Sequence, residues 1–150
     1  MKRTYIDSGV LIAAARGTTA IAIPAIEILD DPNREFASSI FVTLEVLPKP
    51  ICYKNTAESD FYETFFNAVI YWANSLESII EDAYREACRS GLAALDALHV
   101  AAARSVGAEE LVTTEKPDKP IPSCHRHFSN FYFSEFYAMS IPLHWQVVSY

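Results

Sequence analysis

The sequence predicts one α/β domain with a short central parallel sheet. Three short runs of strand character, at 4–6, 36–40 and 110–113, alternate with segments whose apolar residues recur every three or four positions. Such alternation favours parallel strands, because each helical connection returns the chain to the same edge of the sheet. The chain has 150 residues, of which 51% are hydrophobic, and this suits a single domain that buries its core without a disulfide or a metal.

The segments between these strands are predicted to be helical. Ser8 is expected to cap the first helix and Gly17 to end it, while Pro24 is placed in the first turn of the second helix. Gly91 and Gly107 are expected to end two later helices. From the apolar spacing, the predicted helices cover residues 10–15, 24–29, 42–47, 57–72, 76–89 and 95–106.

Residues 123–150 differ in character from the rest of the chain. This segment is rich in aromatic residues, and Arg126 and Glu135 are its only basic and acidic residues apart from histidines. A last strand is predicted at 147–148. Cysteine and histidine occur together at 124–127, but they lack the paired spacing of a structural zinc site, so zinc binding is not predicted there.

The overall charge narrows the possible functions. Lysine and arginine number 12 against 19 acidic residues, which gives a net charge of -7. This balance argues against nucleic-acid binding through net charge alone, but it leaves open an enzyme that holds phosphates through metal cations. The three cysteines are widely spaced and form no CxxC pair, so a disulfide framework is not expected and a reducing compartment is favoured. Asp7 interrupts the only stretch that resembles a signal peptide, and no apolar run is long enough to span a bilayer. We therefore expect a cytoplasmic protein without a membrane anchor.

Four acidic residues lie near predicted element boundaries within hydrophobic sequence. Asp7 follows the first strand, Glu45 follows the second, and Glu115 follows the third, while Asp96 lies in the first turn of a helix. Sites in parallel sheets form at the carboxyl ends of strands, so these carboxylates are expected to converge. Carboxylates that converge near a core repel one another, and a divalent cation that prefers oxygen ligands relieves the repulsion.

Four sequence blocks together resemble PIN-domain ribonucleases, and the VapC-type toxins of toxin–antitoxin pairs in particular. The blocks are YIDSGVLI at 5–12, TLEVL at 43–47, LDALHVA at 95–101 and LVTTE at 111–115. Each block alone is weakly specific, but the four in this order are fairly specific. The resemblance covers about residues 3–120. It implies a three-layer α/β/α domain, a Mg²⁺ site, cleavage of single-stranded RNA, a homodimer and an antitoxin partner.

The resemblance also assigns roles to individual residues. Asp7 and Asp96 match the first and third acids, which are expected to bind the metal directly, and Glu45 matches the second acid. Glu115 stands where the family usually has Asp, and we expect it to be the third metal ligand of this site. Asp118 is the alternative for that position, because the longer Glu side chain displaces its carboxylate and octahedral Mg²⁺ tolerates little misplacement. Mn²⁺ is expected to substitute for Mg²⁺.

The domain organisation follows from the extent of this resemblance. Residues 1–122 are expected to form the PIN-like nuclease domain, and residues 123–150 to complete or flank the same domain. Two features depart from the family: Ala93 stands near a position that often carries a Ser or Thr cap, and the aromatic segment has no counterpart. Ser8 or Thr113 is expected to donate a hydrogen bond to a carboxylate or to phosphate. Basic residues expected to hold the RNA backbone are Arg16, Lys49, Lys116 and Lys119.

Simpler interpretations exist for each of these residues. Asp7 would also serve as a helix cap, Asp96 as a partner of a helix dipole, and Glu45 and Glu115 as surface acids. His99 lies on the same helix face as Asp96 and is of a type that binds metal or acts as a base, but a partly buried histidine bonded to a neighbour is the favoured interpretation. The main functional alternative is a PIN-like module that binds RNA or a partner without cutting. A phosphotransfer domain is disfavoured, because no second Asp lies beside the first.

Overall fold

A computed structural model of the chain describes residues 1–114 and the strand at 137–140. The strands are β1 (Lys2–Ile6), β2 (Arg34–Ser39), β3 (Tyr71–Ala73), β4 (Glu110–Thr113) and β5 (Tyr137–Ser140). The helices are α1 (Ser8–Arg16), α2 (Thr19–Leu29), α3 (Ile40–Val46), α4 (Pro48–Cys52), α5 (Thr56–Ala68), α6 (Leu76–Ser90) and α7 (Ala94–Ser105).

These strands form one sheet in the order β3-β2-β1-β4-β5. The first four are parallel, and β5 pairs with β4 in the antiparallel sense. Parallel crossovers are right-handed, so the helices that precede β3 cover one face, and α6 and α7, which lead back to β4, cover the other. The predicted three-layer α/β/α domain with a short parallel sheet is therefore confirmed.

The central strand β1 supplies much of the core. Tyr5 and Ile6 are fully buried on its two faces, and Val10 and Leu11 of α1 are buried beside them. Three consecutive small residues of α7, at 101–103, are also buried, which allows this helix to approach the sheet closely. The core thus fixes α1 against β4, and α7 against β2, β3 and β4.

At the opposite end of the sheet, a buried acid joins three strands. Glu110 begins β4 and is almost fully buried, yet its carboxylate contacts the guanidinium of Arg34 on β2. Lys2 lies 3.2 Å from the same carboxylate, and the Thr4 hydroxyl donates to it at 3.0 Å. Because a buried carboxylate is tolerated only when it is paired, this cluster favours the observed register, in which Thr4 lies opposite Glu110.

Two expectations about the first helices were wrong in detail. The N-cap of α1 is Asp7 rather than Ser8, and its carboxylate accepts a hydrogen bond from the Ser8 backbone N–H. Pro24 lies inside α2 rather than in its first turn. The first turn forms earlier because the carbonyl of Thr18 accepts bonds from the N–H groups of Ile21 and Ala22.

The predicted helix at 57–72 is wrong at its carboxyl end. Helix α5 stops at Ala68, and Tyr71–Ala73 forms β3 on the outer edge of β2. The aromatic spacing that suggested a helix also fits a short strand, and tertiary contacts decide between them. The Tyr71 hydroxyl donates to Glu35 at 2.9 Å, and the guanidinium of Arg3 lies over its ring.

The other predicted elements are found close to their expected positions. Strand β4 has the predicted bounds, and α7 is shifted by one residue. Helix α6 ends at Ser90, and its C-cap is Gly91, which has the positive φ of 69° that glycine adopts readily. The predicted helix at 42–47 corresponds to α3, and Pro48, expected to stop the helix, instead begins α4 after Leu47. Ala93 precedes α7 and makes no side-chain cap bond.

The carboxyl-terminal segment contributes one strand to the described fold. Of residues 123–150, the structure describes the strand at 137–140, which adds to the sheet beside β4. The predicted strand at 147–148 and the cysteine and histidine group at 124–127 lie outside the described residues. The boundaries 1–122 and 123–150 stay predictions. In the described part of the chain, no helix has both the length and the apolar character needed to cross a membrane.

Candidate metal centre

Asp7 is held at the carboxyl end of β1. Its backbone N–H donates to the Val112 carbonyl of β4, and its side chain is 12% exposed. One carboxylate oxygen, Oδ1, accepts bonds from the Ser8 N–H at 2.7 Å and the Ser8 hydroxyl at 3.2 Å. The other, Oδ2, accepts a bond of 2.7 Å from the Thr113 hydroxyl. The expectation that Ser8 or Thr113 donates to a carboxylate is confirmed for both residues, and these donors fix the orientation of Asp7.

Glu45 reaches the same place from the neighbouring strand. Helix α3 begins directly after β2, and its buried residues Val42 and Val46 orient the helix so that Glu45 is half-buried at its side. Its Oε2 lies 2.7 Å from Nε2 of His99. The second acid of the sequence analysis is therefore in contact with α7, on which the third acid is also found.

His99 is the residue that links the two carboxylates. It lies on α7, is 4% exposed, and its Nε2 is 3.5 Å from Oδ1 of Asp7. One ligand atom from each of Asp7, Glu45 and His99 lies within 4.8 Å of the other two. Ligand atoms on one octahedral Mg²⁺ are about 2.1 Å from the ion and at most about 4.2 Å apart, so a small adjustment would enclose an ion here.

Asp96 lies at the edge of this cluster. It is half-buried in the first turn of α7, and it is not in the group within 4.8 Å. Burial raises the pKa of its carboxyl group, the negative charge of Asp7 raises it further, and His99 acts in the opposite direction. Asp7 and Asp96 are therefore close enough to repel each other, and a cation between them would relieve that repulsion.

The fourth acidic position follows the end of β4. Glu115 and its alternative Asp118 lie outside the described residues, as do Lys116 and Lys119. The direct ligand set Asp7, Asp96 and Glu115 stays a prediction. Among the other basic residues singled out, Lys49 is exposed, and Arg16 is paired with the carboxylate of Glu58. That pairing gives Arg16 a structural role in joining α1 to α5.

Two residues of this region were not singled out from the sequence. The Tyr5 hydroxyl lies 2.6 Å from Oγ of Ser39 and 3.1 Å from Nδ1 of His99. Tyr5 is fully buried, which raises the pKa of its hydroxyl. Residues two apart in a strand share a face, so the position of Tyr5 two residues before Asp7 is the signal that places it on the site's face of β1.

The donor set fits a divalent cation. Two carboxylates and one imidazole offer oxygen and nitrogen ligands, and the carboxylates carry an excess of negative charge in a largely buried setting. Carboxylate oxygen suits Mg²⁺ and Mn²⁺, whereas imidazole nitrogen suits Mn²⁺ and later transition metals better than Mg²⁺. The interpretation of His99 as a histidine bonded to a neighbour is confirmed by its contacts with Tyr5 and Glu45, although it is buried rather than partly buried.

Comparisons with known proteins bear on the fold. No family model and no curated protein matches this sequence. Among solved structures, the chain is similar to a chain in the crystal structure of VapBC2 from Rickettsia felis bound to a DNA fragment from their promoter. The TM-score is 0.59 at 18% identity, and the match covers 80% of this chain and 93% of that chain. The chain has a PIN-like fold. This similarity confirms that expectation at the level of fold.

Proposed function

We propose that this protein is a metal-dependent endoribonuclease that cleaves single-stranded RNA and acts in the cytoplasm as the toxin of a toxin–antitoxin pair. The observation that carries the proposal is the convergence of Asp7, Glu45 and His99, from three separate sequence blocks, at the carboxyl end of the parallel sheet. This is the edge at which parallel α/β domains place their sites.

The partners in this proposal come from the resemblance and from the structural similarity. One solved structure that is similar to the chain is a VapBC2 complex, which supports a protein antitoxin as the partner of this chain too. Exposed apolar side chains on α2 offer surface for such a partner or for a second copy, and these are Ile21, Ile23 and Ile26. Sedimentation of the purified chain, alone and with the product of the neighbouring reading frame, tests both assemblies.

The residues of the site are proposed to have separate roles in the reaction. Asp7 and Asp96, with Glu115 from the sequence, are proposed to hold Mg²⁺ or Mn²⁺. When bound, the ion makes a coordinated water more acidic and offsets charge on the phosphate oxygens. Glu45, whose carboxylate lies 2.7 Å from His99, is proposed to accept a proton from an attacking water. Ser8 and Thr113 keep Asp7 oriented while RNA binds and leaves.

Cleavage of a labelled single-stranded RNA by the purified full chain tests the activity. We expect cleavage that requires Mg²⁺ or Mn²⁺, stops with EDTA, and falls at least about 100-fold in Asp7→Asn. Glu81→Gln is the matched control, because Glu81 is an exposed acid of α6 away from the cluster. Cleavage that survives Asp7→Asn or EDTA would refute the proposal.

Metal binding can be measured without RNA. An ion that binds only the folded chain stabilises it, by about 2.7 kcal/mol at 100 times its dissociation constant. We expect the melting temperature of the wild type to rise with Mn²⁺, and that of Asp7→Asn to stay constant.

The alternative function is a PIN-like module that binds RNA or a partner without cutting. RNA binding without cleavage at saturating Mn²⁺ would support this alternative.

A further inference from the structure

A chain of polar contacts runs from the sheet interior to the carboxylates. Oγ of Ser39, at the end of β2, lies 2.6 Å from the Tyr5 hydroxyl, which lies 3.1 Å from Nδ1 of His99. The other ring nitrogen, Nε2, lies 2.7 Å from Glu45 and 3.5 Å from Asp7. One ring nitrogen therefore faces the protein interior, and the other faces the cluster.

Burial keeps this chain in place. Tyr5 and Ser39 are fully buried, and His99 is 4% exposed. Buried polar groups keep their hydrogen bonds, because unpaired ones cost about 1–3 kcal/mol each. The imidazole ring therefore cannot turn away from the carboxylates without breaking its contact with Tyr5.

The chemistry of the hydroxyl groups allows His99 to act as a ligand. A neutral imidazole carries its proton on one nitrogen only, and hydroxyl groups both donate and accept. With the proton on Nδ1, the ring donates to Tyr5 and Tyr5 donates to Ser39. The 2.7 Å contact of Nε2 with the Glu45 carboxylate requires the proton on Nε2 instead, and Nδ1 then accepts from Tyr5. When a cation takes the place of that proton, the ring proton resides on Nδ1 and Nε2 presents its lone pair to the ion. Metal-binding histidines are oriented in this way by a hydrogen bond to the other ring nitrogen.

We propose that His99 binds the metal through Nε2, that Tyr5 is its positioning residue, and that the resulting mixed oxygen and nitrogen site prefers Mn²⁺ to Mg²⁺. This inference rests on the metal site of the proposed function and extends it to the identity of the ion. Mg²⁺ gains little from an imidazole, whereas nitrogen ligands favour transition metals, so the histidine adds affinity chiefly for Mn²⁺.

Mn²⁺ itself is the probe for the test. Pulsed electron paramagnetic resonance of the Mn²⁺-loaded full chain is expected to show coupling to one imidazole nitrogen, and His99→Gln is expected to lose it. Dissociation constants for Mn²⁺ and Mg²⁺ are measured in parallel by titration calorimetry. In Tyr5→Phe, we expect Mn²⁺ affinity to fall about 10-fold or more, with a smaller change for Mg²⁺.

Two controls separate positioning from a general structural effect. Tyr84→Phe removes the hydroxyl of an exposed tyrosine on α6, and it is expected to leave both constants unchanged. Ser39→Ala breaks the far end of the chain, and it is expected to lower Mn²⁺ affinity less than Tyr5→Phe does. A selective loss of Mn²⁺ affinity in Tyr5→Phe supports the inference, because a merely loosened fold would weaken both ions alike.

The inference is overturned if the wild type binds no Mn²⁺, if its bound Mn²⁺ shows no nitrogen coupling, or if Tyr5→Phe weakens both ions equally. Its failure differs from failure of the proposed function. Mg²⁺-dependent RNA cleavage that is lost in Asp7→Asn would still establish the nuclease, even with oxygen ligands alone. Nitrogen coupling without RNA cleavage would support the metal site that includes His99 and would refute the proposed nuclease activity.

Discussion

The Thr113 hydroxyl donates a hydrogen bond of 2.7 Å to Oδ2 of Asp7, and this bond joins residues 106 positions apart in the chain. Thr113 ends β4, and Asp7 follows the neighbouring parallel strand β1. Parallel pairing places both residues at one edge of the sheet, so a threonine of the fourth sequence block orients the acid of the first. The geometry of Asp7 therefore depends on the correct register of two distant segments.

Removal of that hydroxyl should weaken both fold and site. In Thr113→Val, the buried carboxylate of Asp7 loses a hydrogen-bond donor. We expect the free energy of unfolding, measured by urea denaturation, to fall by about 1–3 kcal/mol. Mn²⁺ affinity should fall as well, because Asp7 becomes free to turn. Thr64→Val, on the exposed surface of α5, is the matched control and should change stability little. Equal stability of the two variants would contradict the role given to Thr113.

Neutralising Asp96 should stabilise the metal-free protein while impairing function. Asp7 and Asp96 repel each other in the absence of a cation. We expect Asp96→Asn to melt at a higher temperature than the wild type and to cleave RNA poorly. Its free energy of unfolding should rise by less than about 1 kcal/mol, because solvent screens half-buried charges. Asp60→Asn, an exposed acid of α5, should leave both properties unchanged. A lower melting temperature for Asp96→Asn would show that repulsion between Asp7 and Asp96 does not destabilise the folded protein.

The close approach of α1 to the end of β4 explains the glycine after Asp7-Ser8. A Cβ at Gly9 would lie 2.2 Å from Oγ1 of Thr114. We expect Gly9→Ala to destabilise the fold by less than about 1 kcal/mol in chemical denaturation, because the Thr114 hydroxyl can rotate away and alanine is favoured over glycine within a helix. Thr114→Ala removes the clashing atom, so the double variant should recover most of this loss, with a coupling energy above about 0.5 kcal/mol. If the changes in the free energy of unfolding of the two single variants simply add in the double variant, a Cβ at position 9 does not clash with Thr114.

An ion pair between α1 and α5 should make stability depend on acid pH. The Glu58 carboxylate contacts the guanidinium of Arg16 and accepts a bond from the Tyr62 hydroxyl, and the Arg16 contact is the main reason that the pKa of Glu58 falls below its ordinary value of 4.5. A lowered pKa in the folded state means that the stabilisation is complete above pH 4.5 and is lost as the pH falls through the lowered value.

Comparison of the wild type with Glu58→Gln measures this contribution. The wild type should be more stable at pH 7, by less than about 1 kcal/mol for a pair at the surface. The difference should shrink between pH 4.5 and the lower pKa of the folded state. Glu63→Gln, an exposed acid on the same helix, should show no such change. A difference that persists unchanged at pH 3 would contradict the assignment.

Local sequence determined much of the fold. The alternation of short strands with helices, the glycine that ends α6 and the bounds of β4 all depend on residues near one another in the chain, whose propensities act without distant contacts. The placement of Asp7 at a strand end also follows locally. Strand β3 was missed, because three residues carry little signal until β2 offers them an edge to pair with.

The composition of the site was decided by the tertiary structure. Sequence patterns identified Asp7, Glu45 and Asp96 one by one, but only the packing of α7 beside the ends of β1 and β2 brought His99 between two carboxylates. The register that places Tyr5 opposite Ala37 also brings Ser39 to its hydroxyl. Such contacts depend on the position and rotation of whole elements, which the period of a sequence pattern does not specify.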